Sequence, residues 1–282
     1  MPTMVSFVIP VRNAVDTIEE AVERVLHADL GHADLHREII VVDDASADGT
    51  AERLQHLAAR GLARVGFHPE AIGQGAALST ALAMVSGDIV VVADATLAYD
   101  PSETGRLLEP IASGAADVVY GSRYVAASRQ VPALWDRLAD QLLTVVSNGL
   151  TNVSLTDVTT TARAFRVDVV RGAVLRADGC AIAGELAALF TTRQCRIFEV
   201  PVSYRTERRT PRNGRWLQGL AQLTMMARCR LRSWHLEAVA PHRPLPAAMP
   251  VAARGARLTR LVRPVDLMPM SPATTRPMLR AN

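Results

Sequence analysis

The chain has 282 residues, of which 49% are hydrophobic, 21% charged and 4% aromatic; that is enough for one large α/β domain or two small ones and too apolar for a disordered chain. No run of 18 residues is both apolar and free of charge, and the opening MPTMVSFVIPVRN lacks a basic segment ahead of a long apolar one, so a soluble cytoplasmic protein is expected. Cys180, Cys195 and Cys229, widely spaced and odd in number, exclude a disulfide framework and a CxxC zinc site.

All 31 basic side chains are arginine, so any phosphate-binding cation must be a guanidinium. The net charge of +3 hides an asymmetry. Residues 241–282 carry seven arginines against Asp266 alone, whereas the first 240 residues carry 24 arginines against 27 acids.

In chain order, Val5 to Ile9 and Glu38 to Val42 are too apolar for half-exposed strands and are expected inside a parallel sheet covered on both faces. Between them Val15, Ile18, Val22 and Val25 form the apolar stripe of a helix. Asp48-Gly49-Thr50 opens a second helix and Ala76 to Val85 forms a third. Ile89 to Ala93 is a further buried strand that ends at Asp94. Asp100-Pro101 then supplies a cap and a first-turn proline for a helix through Leu107 and Ile111, and Asp117 to Tyr120 returns as a strand. Helices are expected around Leu134 to Leu150 and around Glu185 to Thr191.

From Arg205 to Arg232 there are eight arginines and one acid, and apolar residues from Trp216 to Trp234 recur at helical spacing. That pattern suits either a helix lying in a lipid interface or one packed on the domain. Beyond residue 240 the periodicity is lost and a disordered tail is expected. The expected organisation is a catalytic-type domain over 1–210, a basic amphipathic helix over 211–238 and a Pro/Ala/Arg-rich tail over 239–282.

A β-α-β-α-β order predicts an α/β fold with a doubly wound, mostly parallel sheet, whose ligand lies beyond the carboxyl ends of the strands. The polar residues just after each strand are then the first candidates: Pro10-Val11-Arg12-Asn13, Asp43-Asp44-Ala45-Ser46, Asp94-Ala95-Thr96 and Gly121-Ser122-Arg123. Acids there suit hydrogen bonding to a base or ribose and holding a divalent cation on a diphosphate. Asp43 and Asp44 equally suit capping of the next helix with Ser46 and Asp48. Asp94 closes a buried strand and needs a partner. Gly73-Gln74-Gly75 has the shape of a phosphate-approach loop without the spacing of either common nucleotide fingerprint.

The ordered set IPVRN, VVDDASADGT, GQGAAL, SGDIVVVADATLAYDP, VVYGSRY, LTDVTTTARAFR, GEL and EVPVSYRTERR resembles the family-two glycosyltransferases, most of all the polyprenyl-phosphate sugar transferases of the dolichyl-phosphate mannose synthase type. The resemblance covers roughly residues 4 to 216. It implies a nucleotide-diphosphate-sugar donor, Mg or Mn on its diphosphate, and inverting transfer of a hexose to a polyprenyl phosphate or another glycan acceptor. It places Pro10, Asn13, Asp43, Asp44 and Gln74 near the nucleoside and makes Asp94 the first carboxylate of a DxD-like metal motif. Arg123 would face the phosphates. Asp157, Arg163 and Arg166 would line the sugar and acceptor side, Glu185 would take an acidic position of the lipid-phosphate branch, and Arg208 or Arg209 would close over the donor. On the residues alone, Asp157 fits a helix cap as well as a sugar-orienting carboxylate.

Several positions depart from that pattern. Thr96 stands where the second metal carboxylate is usual, Arg12 where an aromatic is, Ala14 where a Glu is, and Ala71, Gln74 and Ser79 where Asn, Lys and Arg are. An active enzyme whose diphosphate is balanced mainly by arginines fits these changes, and so does a degenerate member that binds a nucleotide sugar or a partner without turnover. A nucleic-acid partner is not expected, because aromatics able to stack on bases are scarce in the basic third; anionic lipid headgroups suit its charge better and imply a peripheral place on the cytoplasmic membrane face.

Overall fold

The computed structural model describes residues 3–125, 153–173, 175 and 181–203, with 141–142, 144–146 and 148–149 between them. The strands are β1 (Thr3–Val11), β2 (Leu35–Asp43), β3 (Arg64–Phe67), β4 (Ile89–Val92), β5 (Val118–Ser122), β6 (Arg163–Arg166) and β7 (Ile197–Pro201). The helices are α1 (Ile18–Leu26), α2 (Thr50–Ala59), α3 (Gln74–Met84), α4 (Thr104–Ala112) and α5 (Ala181–Thr192). The positions described between 141 and 149 are helical, as expected there. The basic segment over 211–238, the tail over 239–282, Arg208 and Arg209 lie outside the described residues.

The strands form one seven-stranded sheet in the order β3-β2-β1-β4-β6-β5-β7. β2 and β4 flank β1 in parallel, β3 follows β2 in parallel and β7 runs parallel to β5, while β6 is antiparallel to both neighbours. The expected doubly wound α/β sheet is present, with one reversed strand. That reversal puts the start of β6 at the same rim as the ends of β4 and β5.

Period-two alternation sorts the side chains of the sheet onto two covered faces. Val5, Phe7 and Ile9 of β1 join Ile18, Val22 and Val25 of α1, Leu54 and Leu57 of α2, and Leu107, Leu108 and Ile111 of α4. Val8, Ile40, Val42, Val90 and Val92 point the other way, onto Ala77, Leu78 and Ala81 of α3 and Ile182, Leu186 and Phe190 of α5. Fully burying each Val, Ile, Leu or Phe contributes about 1.5–3 kcal/mol. The alanines of α3 leave little between helix and sheet, which brings its first turn up to the rim of β1.

Local chemistry explains the ends of the elements. Asp100 caps the short 3-10 turn Pro101–Glu103 by accepting from the Ser102 N–H at 3.1 Å. Helix α3 starts two residues before the expected Ala76, because Gly73 takes φ 102° and lets the chain turn straight into the helix. At the opposite end of the sheet Glu38 accepts from Ser6, from the Ser86 N–H and hydroxyl and from the Gly87 N–H. A Cβ on Gly87 would lie 2.5 Å from the Met4 carbonyl oxygen, so the Ser-Gly-Asp turn serves to seat β4 beside β1.

Candidate active site

Strand order reverses between β1 and β4, and a cleft of about 420 Å³ opens there, beyond the carboxyl ends of the strands. Its walls come from Pro10 to Ala14, Thr17, Asp44, Gly73, Gln74, Ala77 and Asp94 to Thr96. Four non-glycine residues among those described have left-handed backbone, and three of them, Asn13, Ala45 and Leu97, follow β1, β2 and β4. Such strain persists only where neighbouring contacts hold it.

At Asn13 and Ala45 those contacts come from the VVDDASADGT segment. The Asn13 N–H donates to the Ser46 hydroxyl at 2.8 Å and its side-chain oxygen accepts from the Ala47 N–H at 2.9 Å. The Ala14 N–H donates to Thr50 Oγ1 at 2.8 Å, and the Val15 N–H to Asp48 at 3.1 Å. Asp43 accepts from the N–H and the hydroxyl of Ser46, and Asp48 accepts from the N–H and hydroxyl of Thr50, where α2 begins. Two loops are thereby stitched into one wall, and much of the motif is spent on building it.

Asp44 supports the opposite wall. Its oxygens accept from the Ile72 N–H at 3.0 Å, the Gly73 N–H at 2.9 Å and His68 Nδ1 at 2.8 Å, while His68 Nε2 lies 3.0 Å from Thr80 Oγ1. Burial pushes its carboxyl upward, but these donors outweigh burial and hold it below the usual aspartate range. The capping of α2 expected for Asp44 is not found among the described contacts; Asp44 instead braces the turn that leads into α3.

Asp94 is different. Its Oδ1 accepts from the Thr96 N–H at 3.0 Å and hydroxyl at 2.6 Å, and among the described residues Oδ2 takes no hydrogen bond. Among the described residues that line the cleft, Arg12, exposed at the lip, is the single cation. No group of three acidic, histidine or cysteine side chains comes together among the described residues. This donor set fits a divalent cation that arrives on a diphosphate, with one protein carboxylate oxygen and the remaining positions taken by phosphate and water. It does not form a cation cage made of protein alone.

Arg123, Asp157 and Arg163 gather at the end of β5 and the start of β6, outside the cleft lining. Arg123 Nε and Nη2 donate to the two oxygens of Asp157 at 2.6 and 2.8 Å, and Nη2 also reaches Thr159 Oγ1 at 2.6 Å. Asp157 is 0% exposed, no helix starts there, and it acts as a counterion. Arg163 is buried, donates to the Val158 carbonyl at 3.1 Å and lies 5.4 Å over the Tyr120 ring. Arg166 does not join them: it stands in register with Ile89 at the start of β4, at the opposite end of the sheet from the cleft, and pairs with Asp168 at 2.8 Å, so the expected place on the sugar and acceptor side is not met. Glu185 is half-buried on α5.

Of the expected residues, then, Pro10, Asn13, Asp44, Gln74 and Asp94 line the cleft, Asp43 braces its loop, Arg123, Asp157 and Arg163 sit at the start of β6, and Arg166 lies at the far end of the sheet. Sequence reasoning passed over His68 and Glu199. The carboxylate of Glu199 accepts from the N–H groups of Thr156 at 2.8 Å and Asp157 at 3.2 Å. Its position as the one acid of a short strand, directly before the Val-Pro of EVPV, was the available signal. Gly121 admits nothing larger, since a Cβ would lie 2.7 Å from Val202.

Residues 6–172 match the family described as Glycosyl transferase family 2. The chain is 30% identical over 203 residues to a dolichol-phosphate mannosyltransferase of Pyrococcus furiosus, covering 71% of this chain and 56% of that protein. It is 35% identical over 198 residues to an undecaprenyl-phosphate 4-deoxy-4-formamido-L-arabinose transferase of Pseudomonas aeruginosa, covering 69% and 56%. It thus matches little more than half the length of these relatives. Glucosyl-3-phosphoglycerate synthase of Mycobacterium tuberculosis, solved with Mn2+, UDP and phosphoglyceric acid, superposes with a TM-score of 0.63 at 23% identity, covering 81% of this chain and 78% of that one. A second crystal structure of that synthase holds Mg2+ and UDP. The match over more than half of the sequence establishes that this chain belongs to glycosyl transferase family 2.

Proposed function

We propose that the chain is an inverting glycosyltransferase that moves a hexose from a nucleotide-diphosphate sugar to a polyprenyl phosphate. The observation that carries this reading is the cleft at the β1/β4 switch point, with the outer oxygen of Asp94 on one wall and the first turn of α3 on the other. The similarity to two lipid-phosphate sugar transferases supports the acceptor class.

Charge governs the reaction. Breaking the sugar–phosphate bond leaves new negative charge on the nucleoside diphosphate, and preorganised donors aimed at those oxygens lower the barrier. Arg12 at the cleft lip would meet that charge. A Mg or Mn ion bound with the diphosphate would add countercharge there, and Asp94 is the carboxylate that would hold it. A phosphate monoester, with its second pKa near ~6, is already anionic at neutral pH. The acceptor oxygen can therefore attack without a dedicated base, and Asp157, tied to Arg123, is an orienting group. Attack on the face opposite the leaving diphosphate inverts the anomeric carbon.

Among the described residues no helix is long and apolar enough to cross a membrane. The arginine-rich segment from Arg205 to Arg232 is assigned to a peripheral contact with anionic lipid on the cytoplasmic face, where the acceptor phosphate lies.

Incubation of the purified chain with GDP-mannose or UDP-glucose, Mg or Mn and a short polyprenyl phosphate tests the reading, with formation of a lipid-linked sugar of inverted anomeric configuration as the expected result. Absence of calorimetric heat with any sugar nucleotide, with and without the cation, would sink it. The engagement of Asp94 Oδ1 by Thr96 keeps a second reading alive, that of a member that binds donor without turnover. Donor binding with no product, together with product formation by Thr96→Asp, would decide for that second reading.

A further inference from the structure

The rim between β5 and β7 carries a carboxylate to which the transfer as described gives no role. Glu199 pairs in register with Tyr120 of β5 and projects toward the loop before β6. Its two oxygens accept from the Thr156 N–H at 2.8 and 2.9 Å, and Oε1 also takes the Thr156 hydroxyl and the Asp157 N–H, each at 3.2 Å. One side chain on a strand thus holds two consecutive peptide groups of a loop, as a cap holds the first turn of a helix. The second of those peptides belongs to Asp157, whose wholly buried carboxylate meets Arg123 through two bonds. A bidentate pair of this kind is directional, and a loop displaced by an ångström would forfeit one of its bonds.

Packing alone does not explain an acid at this position. Burial raises the carboxyl of Glu199, the amide donors offset part of that, and the like charge of Asp157 adds to the rise. An apolar residue would avoid these costs, but it would leave the Thr156 and Asp157 N–H groups without this acceptor.

We propose that Glu199 is a positioning residue of the transfer centre: through the Thr156–Asp157 backbone it holds Asp157 beneath Arg123 and so aims the guanidinium at a substrate phosphate. The inference rests on the proposed transfer and on Arg123 facing a phosphate in it, as the resemblance to the family implies.

Nitrogen-15 spectra of the full chain, with the Arg123 Nε–H assigned from an Arg123→Lys control, read the positioning without any turnover. A slowly exchanging Nε–H is expected in the native chain and in Glu199→Gln, which keeps an acceptor oxygen, with exchange about tenfold faster in Glu199→Ala. Under the assay above, Glu199→Ala should lower kcat by about 10–100-fold and leave KM for the sugar nucleotide within about twofold, and Glu199→Gln should restore most of kcat. Glu199→Asp, which withdraws the carboxylate by one methylene, should fall between native and Ala in both readouts and serves should the Ala chain fail to fold. An unchanged Arg123 Nε–H in both the Ala and Asp chains overturns the proposal. If the native chain makes no glycolipid, the proposed transfer fails, while the exchange measurement still decides the positioning role.

Discussion

On the two sides of β6 the carboxylates have different partners. Around the β1/β4 cleft, Asp43, Asp44 and Asp48 are engaged mainly by backbone N–H groups and hydroxyls, with His68 added at Asp44. Around β5 and β7, Asp157 and Asp117 are engaged by the guanidiniums of Arg123 and Arg196. Backbone-held carboxylates fix loops and leave a preorganised wall. Guanidinium-held carboxylates hold a cation in place at a chosen angle. Asp94 follows neither pattern, because one of its oxygens is left to the cleft, and it is the carboxylate of the first region best suited to an external ligand.

Removal of single carboxylates tests that contrast. Asp157→Ala should destabilise the chain by about 3–5 kcal/mol, read as a shift of the urea midpoint, because it leaves a mostly buried guanidinium without its counterion. Asp44→Ala should cost about 2–3 kcal/mol, since two N–H groups and His68 lose their acceptor, and should weaken nucleotide binding by calorimetry through the loosened α3 entry. Gly87→Ala should cost about 1–3 kcal/mol through the clash with Met4, with activity per folded molecule unchanged because this turn lies at the far end of the sheet. Asp94→Ala should leave the urea midpoint within about 0.5 kcal/mol of native and abolish donor turnover. An Asp94 variant as unstable as the Asp157 variant would break the distinction.

The smallest effects concern pH. The folded-state values of Asp44, Asp48, Asp117 and Glu38 are lowered, burial being outweighed by their hydrogen bonds. Their stabilisation is therefore complete above the ordinary carboxylate range and is lost as pH falls through their folded values. Glu199 is raised above 4.5, so the folded state retains its proton longer and its ionisation costs stability as pH climbs from 4.5 through the folded value. Thermal melts of Glu199→Gln should exceed native at neutral pH and converge with it near pH 4. A constant offset across that range would show that ionising Glu199 costs the fold nothing.

Much of the architecture was legible in the residues. Runs such as Val5 to Ile9 and Ile89 to Val92 are apolar at every position, which suits only strands covered on both faces, and the stripe Ile18, Val22, Val25 marks α1. The reversal of β6 was not legible, since a short strand carries no sign of its direction and the partners that set it, β4 and β5, lie about 40 to 75 residues earlier. The site divided in the same way. Pro10, Asn13, Asp44 and Asp94 were expected at the cleft they line because a doubly wound sheet places ligands at strand ends, and Gln74 because Gly73-Gln74-Gly75 has the shape of a phosphate-approach loop. The partners of Asp44 and Asp157 were not, because sequence spacing does not reveal which donor reaches a carboxylate.

By itself the sequence determined the two-faced sheet, the loops at its carboxyl rim and the residue types available there, because hydrophobic periodicity and turn chemistry act over a few neighbouring residues. Tertiary structure alone decided which carboxylates were already committed. Asp44 meets Gly73 from 29 positions away and Asp157 meets Arg123 from 34, and hydrogen bonding depends on ångströms in space, a distance fixed only once the helices and strands have packed.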